Sequence, residues 1–144
     1  MKGLFLIGRI LSGSYFIYSG AHHFTDLHPL AHVAAQKGVP YPLWAVALAG
    51  VLLIFGGLSL LLGWLPRLGI AALVLFLVPV TLVMHQFWHE QGMARMNDLV
   101  NFTKNTALLG TVMALIAVPE PWPLSVQSQV GWRHRILRPH ARGI

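Results

Sequence analysis

The order of apolar and polar residues divides the chain into four long apolar runs joined by polar connections. The most continuous run, residues 68–84, contains no charged side chain, and its apolar character extends to Trp88. A helix over residues 68–88 would be roughly 31 Å long at about 1.5 Å per residue, which matches the hydrocarbon thickness of a bilayer. The pattern predicts an all-α integral membrane protein with spans over residues 4–24, 43–65, 67–89 and 99–118.

The connections predict how the four spans are arranged. Residues 64–67 join the second span to the third with so short a turn that these helices must form an antiparallel hairpin. The first connection, residues 22–42, is rich in proline and favours irregular structure around a short surface helix over residues 30–37. A polar loop is expected between His89 and Asp98. The resulting fold is an antiparallel four-helix transmembrane bundle.

The first span carries small and polar residues on one helical face. At 100° per residue, this stripe contains Arg9, Gly13, Phe16, Gly20 and His23. The glycines allow a neighbouring helix to approach closely, with Arg9 and His23 directed toward protein. Snorkelling to the headgroups is the alternative for Arg9. A signal peptide is the alternative for the whole span, but the run is longer than a usual signal-peptide core and lacks a clean cleavage site.

Composition and charge support a membrane protein and indicate its orientation. The sequence is 56% hydrophobic and only 10% charged. The formal charge of +6 is dispersed without a nucleic-acid-binding motif, so we expect the lipid bilayer and not nucleic acid as a partner. The positive-inside rule places both termini in the cytoplasm, with seven basic residues inside and three outside. The seven are Lys2, Arg9, Arg67, Arg133, Arg135, Arg138 and Arg142, and the three are Lys37, Arg95 and Lys104.

The end of the chain differs in composition from the spans. Prolines at positions 119, 121 and 123 end the fourth span, and the following residues are basic. We expect a membrane domain over residues 1–118 and a cytoplasmic tail over residues 119–144. The tail residues Trp132, Arg133, His134, Arg135, Arg138, His140 and Arg142 favour contact with anionic headgroups, and a partner-binding tail is the alternative.

Histidines gather at the predicted outer ends of the spans. His85 and His89 are spaced i, i+4, so a helix there would place both imidazoles on one face. Because neutral imidazole binds zinc, copper and haem iron, the candidate metal ligands are His22, His23, His85 and His89. A hydrogen-bonded or solvated pair is the commoner outcome of this spacing, and the chain has no cysteine to complete a site.

A second polar group lies in the fourth predicted span. Asn101, Lys104 and Asn105 are spaced i, i+3, i+4 and therefore share one helical face. Lys104 can snorkel to the interface, or it can donate into a pocket closed by His23 and His85. A quinone carbonyl would be a suitable acceptor in such a pocket. The candidate ligand-binding residues are His23, His85, Lys104, Asn101 and Asn105.

Six short motifs occur in order along the four predicted spans. They are residues 8–11 (GRIL), 16–24 (FIYSGAHHF), 38–40 (GVP), 56–63 (GGLSLLLG) with 66–67 (PR), 85–88 (HQFW) and 102–105 (FTKN). Together they resemble the DoxX family of small four-helix membrane proteins. The resemblance implies a link to respiratory and sulfur redox systems, which include a quinone-reducing thiosulfate enzyme. Many relatives have lysine in place of His23 and glutamate near Leu53; here no carboxylate lies inside a predicted span, which argues against proton relay through a buried acid.

Three functions remain open at this point. The first is a redox-associated membrane subunit with a quinone-binding polar pocket at the outer end of the bundle, which would receive electrons from a partner. The second is a non-catalytic accessory subunit of a larger membrane complex, and the third is a metal- or haem-binding membrane protein. The residues leave open whether the chain is itself an enzyme. In each case we expect a multi-pass protein of the bacterial inner membrane, in contact with other membrane or peripheral subunits.

Overall fold

This computed structural model describes residues 1–129, and between Lys2 and Ala117 it contains five α-helices and three shorter helical turns. The α-helices are α1 (Lys2–Thr25), α2 (Leu27–Gln36), α3 (Pro42–Leu62), α4 (Pro66–Pro79) and α5 (Gly92–Ala114). Among these residues, the stretches long and apolar enough to cross a membrane are Lys2–Thr25, Pro42–Leu62, Pro66–His89 and Gly92–Ala117. The predicted all-α fold with four spans is confirmed. Helix α2 corresponds to the short helix expected over residues 30–37, but it begins earlier, at Leu27, and includes Pro29, so the irregular structure expected before it is wrong.

The closest helix packing joins α1 to α3 through glycines. A Cβ atom at Gly13 would lie 2.8 Å from the carbonyl oxygen of Gly57, and one at Gly57 would lie 2.7 Å from the carbonyl oxygen of Gly13. A Cβ atom at Gly20 would lie 2.9 Å from the carbonyl oxygen of Gly50. The buried residues of α1 are Arg9, Gly13, Phe16 and Gly20, which confirms the stripe that the sequence predicts. Small residues at a membrane helix interface allow this close approach of the two backbones.

A tight turn connects α3 to α4 and confirms the predicted hairpin. Gly63 ends α3 with a φ of 62°, a left-handed conformation that glycine adopts without steric cost. The Ser59 hydroxyl lies 2.7 Å from the carbonyl oxygen of Trp64 and holds the turn against the helix. Pro66 begins α4, where a missing N–H is tolerated.

The main core lies between α1, α3 and α4, whereas α5 packs on one side of α4. The core contains Phe16, Leu53, Leu60, Leu73 and Leu77. In α5, only Asn105 and Val112 are buried. The fourth span is therefore the most exposed of the four, with a wide face that no other described element covers.

The third span departs from the continuous helix expected over residues 67–89. Pro79 provides no N–H for the helical ladder, and the chain changes there into a π-helical turn, Val80–Met84. His85 then leaves helical geometry with a φ of −118° and a ψ of 53°, and a separate 3-10 turn covers Phe87–His89. The predicted placement of His85 and His89 on one face of a continuous helix is therefore wrong.

The fourth span begins earlier than predicted. Helix α5 starts at Gly92, so the polar loop expected between His89 and Asp98 is wrong in its second half. The first two turns of α5 include the polar residues Arg95, Asn97 and Asp98, so the apolar pattern indicates only the part of the helix beyond them. At the other end, α5 passes into a 3-10 turn, Leu115–Ala117, close to the predicted end at residue 118.

The segment after the fourth span packs onto the end of α1. Trp122 is buried against the core, with its indole ring 5.4 Å from that of Phe5 between centroids. Arg9 is also buried and donates three 2.9 Å hydrogen bonds, to the carbonyl oxygens of Leu60, Leu61 and Pro123. Arg9 therefore faces protein, as the helical stripe predicts, and does not snorkel outward. The division at residue 118 stays a prediction, and the basic tail residues lie outside the described range.

Candidate functional site

Two chain connections meet at one end of the bundle in a group of charged residues. The Nζ atom of Lys37 lies 2.7 Å from an oxygen of Glu90 and 3.1 Å from an oxygen of Asp98. The other oxygen of Asp98 lies 3.3 Å from Nδ1 of His85. We call these four residues the Lys37 cluster, and the end of the molecule where they lie the α2 end. The cluster ties the connection between α2 and α3 to the start of α5.

The environment of Lys37 keeps this residue charged. The hydrogen bond to Glu90 raises the pKa of the Lys37 ammonium above its ordinary value, burial acts in the opposite direction, and the hydrogen bond and charge of Asp98 raise the pKa further. The Lys37 side chain is only 22% exposed, so its two carboxylate partners replace much of its hydration. A stable cation therefore lies between two carboxylates beside His85.

An apolar cavity of about 550 Å³ lies next to the Lys37 cluster, between α2, α3 and the end of α4. Its walls include Ala34, Val46, Ala49, Phe76, Pro79 and Met84. Gly38 and Met84 line the cavity and are the chain neighbours of Lys37 and His85. The cavity thus has apolar walls, and Lys37 and His85 follow or precede two of its lining residues in the chain. This arrangement suits a ligand with an apolar body and a polar head.

His23 lies beside the wall of this cavity. Its ring packs edge-to-face against Phe76, with 5.7 Å between centroids. Its Nδ1 atom lies 2.7 Å from the carbonyl oxygen of Ser19. Because a carbonyl only accepts hydrogen bonds, Nδ1 carries the proton, and Nε2 is the acceptor when the imidazole is neutral. His23, in α1, and His85, after the π-helical turn, are therefore both close to the cavity.

The polar residues of the fourth span are divided between two environments. Lys104 is exposed and donates a 2.8 Å hydrogen bond to the side-chain oxygen of Asn101. Asn105 is buried. Within residues 1–129, no hydrogen bond or ion pair joins His23, His85 and Lys104 to one another. The convergence of these residues on one ligand stays a prediction.

The candidate metal ligands are also dispersed. Nδ1 of His22 lies 2.9 Å from an oxygen of Asp26 in an exposed pair, and exposed His89 packs beside Trp88. No group of three or more histidine, cysteine, aspartate or glutamate side chains in residues 1–129 is placed to hold a metal ion. The geometry of this part of the chain offers less support to a metal or haem site than to a site for an apolar ligand.

Comparison with known proteins identifies the family. The sequence model of the DoxX family matches residues 4–86, from α1 through the π-helical turn. The chain belongs to the DoxX family. It is also similar to the inner membrane protein YphA of Escherichia coli (strain K12), with 25% identity over 123 residues, which are 85% of this chain and 87% of YphA. No solved structure matches the chain significantly. Family membership and four spans identify it as a multi-pass inner membrane protein.

The motifs that carry the DoxX resemblance lie at two kinds of place in the fold. Residues 16–24 and 56–63 contribute Gly20 and Gly57 to the glycine-mediated helix contacts, and residues 8–11 contribute the buried Arg9. Residues 38–40 line the apolar cavity. His85, the first residue of the motif 85–88, directly follows Met84, which also lines the cavity. The first group accounts for the DoxX fold, and the second group coincides with the candidate site.

Neither Lys37 nor Asp98 is among the site residues that the sequence predicts. These residues are 61 positions apart, and no local spacing connects them. One indication was available: the connection after the first span carries a lysine, while the connection after the third is followed by two carboxylates. In a four-span protein these connections lie on the same side of the membrane, so a contact between opposite charges could have been predicted.

Proposed function

We propose that this DoxX protein is a redox-associated membrane subunit that binds a quinone in the apolar cavity at the α2 end. The observation that carries the proposal is the apolar cavity of about 550 Å³, whose lining residues Gly38 and Met84 are the chain neighbours of Lys37 and His85. Small-molecule sites commonly have volumes of about 300–1,000 Å³ and apolar walls with few polar groups. An isoprenoid tail suits the walls, and a quinone head suits the side of the cavity next to Lys37 and His85.

In this proposal His85 binds the quinone head. The Asp98 carboxylate can only accept a hydrogen bond, so the facing Nδ1 of His85 carries a proton and the ring is held in one orientation. When Nε2 is also protonated, it can donate to a quinone carbonyl. Reduction of a quinone to a quinol consumes two electrons and two protons. In this proposal the His85 imidazolium supplies one proton and water at the membrane surface supplies the other. A redox centre on a partner protein would supply both electrons.

The other candidate residues have different roles in the same proposal. His23 supports the cavity wall through its contact with Phe76. Asn105 is the buried polar residue of α5 and is available to orient a ligand. Lys104 and Asn101 hydrogen-bond to each other on α5 and neither lines the cavity, so their role as further ligand donors from that helix is the least supported part of the proposal.

The accessory-subunit function is the second candidate. It is favoured by the large exposed face of α5, which contributes only two buried residues to the described fold. An accessory subunit would pack into a larger complex through such a face and would need no bound quinone. The two functions therefore differ in whether a ligand is retained by the isolated protein.

Quinone retention tests the proposal. The wild type, His85→Gln and Lys104→Met would be purified in mild detergent, and bound quinone would be measured by mass spectrometry per mole of protein. His28→Gln is the matched control, because His28 is an exposed histidine on α2. We expect about tenfold weaker binding in His85→Gln, equivalent to about 1.4 kcal/mol for one hydrogen bond to a charged group. Folded variants that all match the wild type in retention would favour the accessory function.

A further inference from the structure

The apolar cavity reaches the surface of the protein between α3 and α4. Two of its lining residues, Leu48 of α3 and Leu75 of α4, are 58% and 61% exposed, and Pro79 of α4 is exposed as well. By contrast, Ala34 and Val46 also line the cavity but are buried. A residue that belongs both to the wall and to the surface lies at an opening. We call the gap bordered by Leu48 and Leu75 the side opening.

Helix packing explains why a gap lies there. Near the hairpin, α3 and α4 are in close contact, since a Cβ atom at Gly56 would lie 3.0 Å from the carbonyl oxygen of Gly69. Nearer the start of α3, the glycine contact is with α1 instead. A Cβ atom at Gly50 would lie 2.7 Å from the ring of Phe24 and 3.1 Å from Cβ of His23. The first half of α3 therefore stays against α1, and the cavity lies between it and α4.

The side opening lies within the apolar part of two spans. Leu75 belongs to the uncharged run of residues 68–84, and Leu48 belongs to the span Pro42–Leu62, which has no charged residue. Each is at least six residues from either end of its run, or about 9 Å along the helix at about 1.5 Å per residue. Exposed leucines in such runs contact the hydrocarbon chains of the bilayer. The cavity is therefore open toward lipid.

The path from lipid into the cavity is apolar throughout. The described lining residues are all leucine, valine, alanine, proline, glycine, phenylalanine or methionine. A hydrocarbon chain therefore enters without removing water from a polar side chain. The other border of the cavity that reaches the surface is formed by Gly38 and Pro40, in the connection that contains Lys37. The polar and the apolar parts of a ligand thus have separate ways out.

We propose that the ligand is a quinone with a long isoprenoid tail, and that the tail passes through the side opening into the bilayer. This inference rests on the proposed quinone function, because it concerns the same cavity. The head lies on the side next to Lys37 and His85, the first part of the tail fills the cavity, and the remainder stays in lipid. The volume of the cavity therefore does not limit the length of the tail, and the ligand exchanges with the membrane without passing through water.

Narrowing the side opening tests this inference. The double variant Leu48→Trp/Leu75→Trp places two indole rings at the gap. Val51→Trp/Leu68→Trp is the matched control, because Val51 and Leu68 are exposed residues of the same helices outside the cavity walls. Each protein would be placed in phosphatidylcholine nanodiscs, after thermal unfolding has confirmed that it folds. The dissociation constants would be measured for a polyprenyl quinone and for the same quinone head with a single prenyl unit.

The ratio of the two affinities is the decisive quantity, because it isolates the contribution of the tail. We expect the preference for the polyprenyl quinone to fall at least tenfold in Leu48→Trp/Leu75→Trp and to stay at the wild-type value in the control. An unchanged ratio in the first variant would overturn the side opening and leave the proposed function standing. A wild type that binds neither quinone would overturn both.

Crosslinking gives a second measurement that does not narrow the opening with tryptophan. A photoreactive amino acid would replace Leu75 and, in a separate protein, Leu68, in the same nanodiscs with the polyprenyl quinone. Mass spectrometry would then compare quinone adducts with phospholipid adducts. We expect the proportion of quinone adducts to be at least tenfold higher at position 75 than at position 68. Equal proportions, or phospholipid adducts alone at position 75, would contradict passage of the tail through the side opening.

Discussion

The Nζ atom of Lys37 lies 2.7 Å from Oε1 of Glu90, although 53 residues separate them in the sequence. The contact joins the connection after α2 to the connection before α5. Asp98 adds a second carboxylate at 3.1 Å. Because Gly38 lines the apolar cavity directly after Lys37, this ion pair holds part of the cavity wall in position.

Removal of the Lys37 ammonium should destabilise the protein in a pH-dependent way. We expect Lys37→Met to lower the free energy of unfolding by about 1 kcal/mol near neutral pH. The pKa of Lys37 is raised in the folded state, chiefly by the hydrogen bond to Glu90. Its contribution is therefore fully present below the unfolded pKa of about 10.4 and is lost as the pH rises through the higher folded pKa.

Chemical unfolding of the wild type and Lys37→Met between pH 7 and 11.5 checks this expectation. The difference between the two proteins should be constant to about pH 10 and should shrink above it. Lys2→Met is the control, since Lys2 is exposed at the start of α1. A difference that grows at high pH would contradict the assignment of the stabilising contact to the charged lysine.

Arg9 should contribute to stability through its contacts with backbone carbonyls. Replacement by methionine leaves the carbonyl oxygens of Leu60, Leu61 and Pro123 without their common donor. We expect a loss of about 3 kcal/mol in the free energy of unfolding, the magnitude of one or two hydrogen bonds to a charged group. Unfolding in mixed detergent, followed by circular dichroism, would measure it. Wild-type stability in Arg9→Met would show that these bonds contribute nothing net.

The contact between Gly13 and Gly57 should be intolerant of any side chain. A methyl group at Gly57 would lie 2.7 Å from the Gly13 carbonyl oxygen and 2.9 Å from backbone and side-chain atoms of Ile17. Gly57→Ala should therefore force α1 and α3 apart and cost about 1–3 kcal/mol. Gly8→Ala is the control, because a Cβ there meets no atom within 4 Å. The same detergent unfolding measures both; equal stabilities would contradict the close packing.

The sequence predicts the helix contacts better than the site. The helix contacts follow from spacing within one helix, whereas the site depends on contacts between residues far apart in the sequence. Spacing along a single helix is sufficient to place Arg9, Gly13, Phe16 and Gly20 on one buried face. The Lys37 contact with Asp98 spans 61 residues and depends on how two connections meet after the helices have packed. No periodic pattern of apolar residues in the sequence indicates such a contact.

Local backbone geometry accounts for the remaining errors. The i, i+4 spacing of His85 and His89 has its expected meaning only if the helix continues through both residues. Pro79 interrupts the hydrogen-bond ladder six residues earlier, and the helix ends at Met84. The start of α5 at Gly92 was missed because its first turns are polar and extend beyond the apolar part of the span.

The orientation in the membrane can be tested by labelling single cysteines. The chain has no natural cysteine, so Ala35→Cys and Met93→Cys each provide one thiol. Both positions are exposed at the α2 end. If both termini are cytoplasmic, as the positive-inside rule predicts, an impermeant maleimide should label both thiols from the outer side of intact cells. Labelling that occurs only from the cytoplasmic side would reverse the predicted topology.

The most direct test of the proposed function is to fill the apolar cavity. Ala49 lines the cavity, so Ala49→Trp should occupy its space, whereas exposed Ala71 on α4 lies outside its walls and Ala71→Trp is the matched control. The measurement is the dissociation constant of a short-chain quinone for each purified, folded variant. We predict binding at least tenfold weaker for Ala49→Trp, or about 1.4 kcal/mol, and unchanged for Ala71→Trp. Equal affinities in Ala49→Trp and the wild type would contradict quinone binding in this cavity.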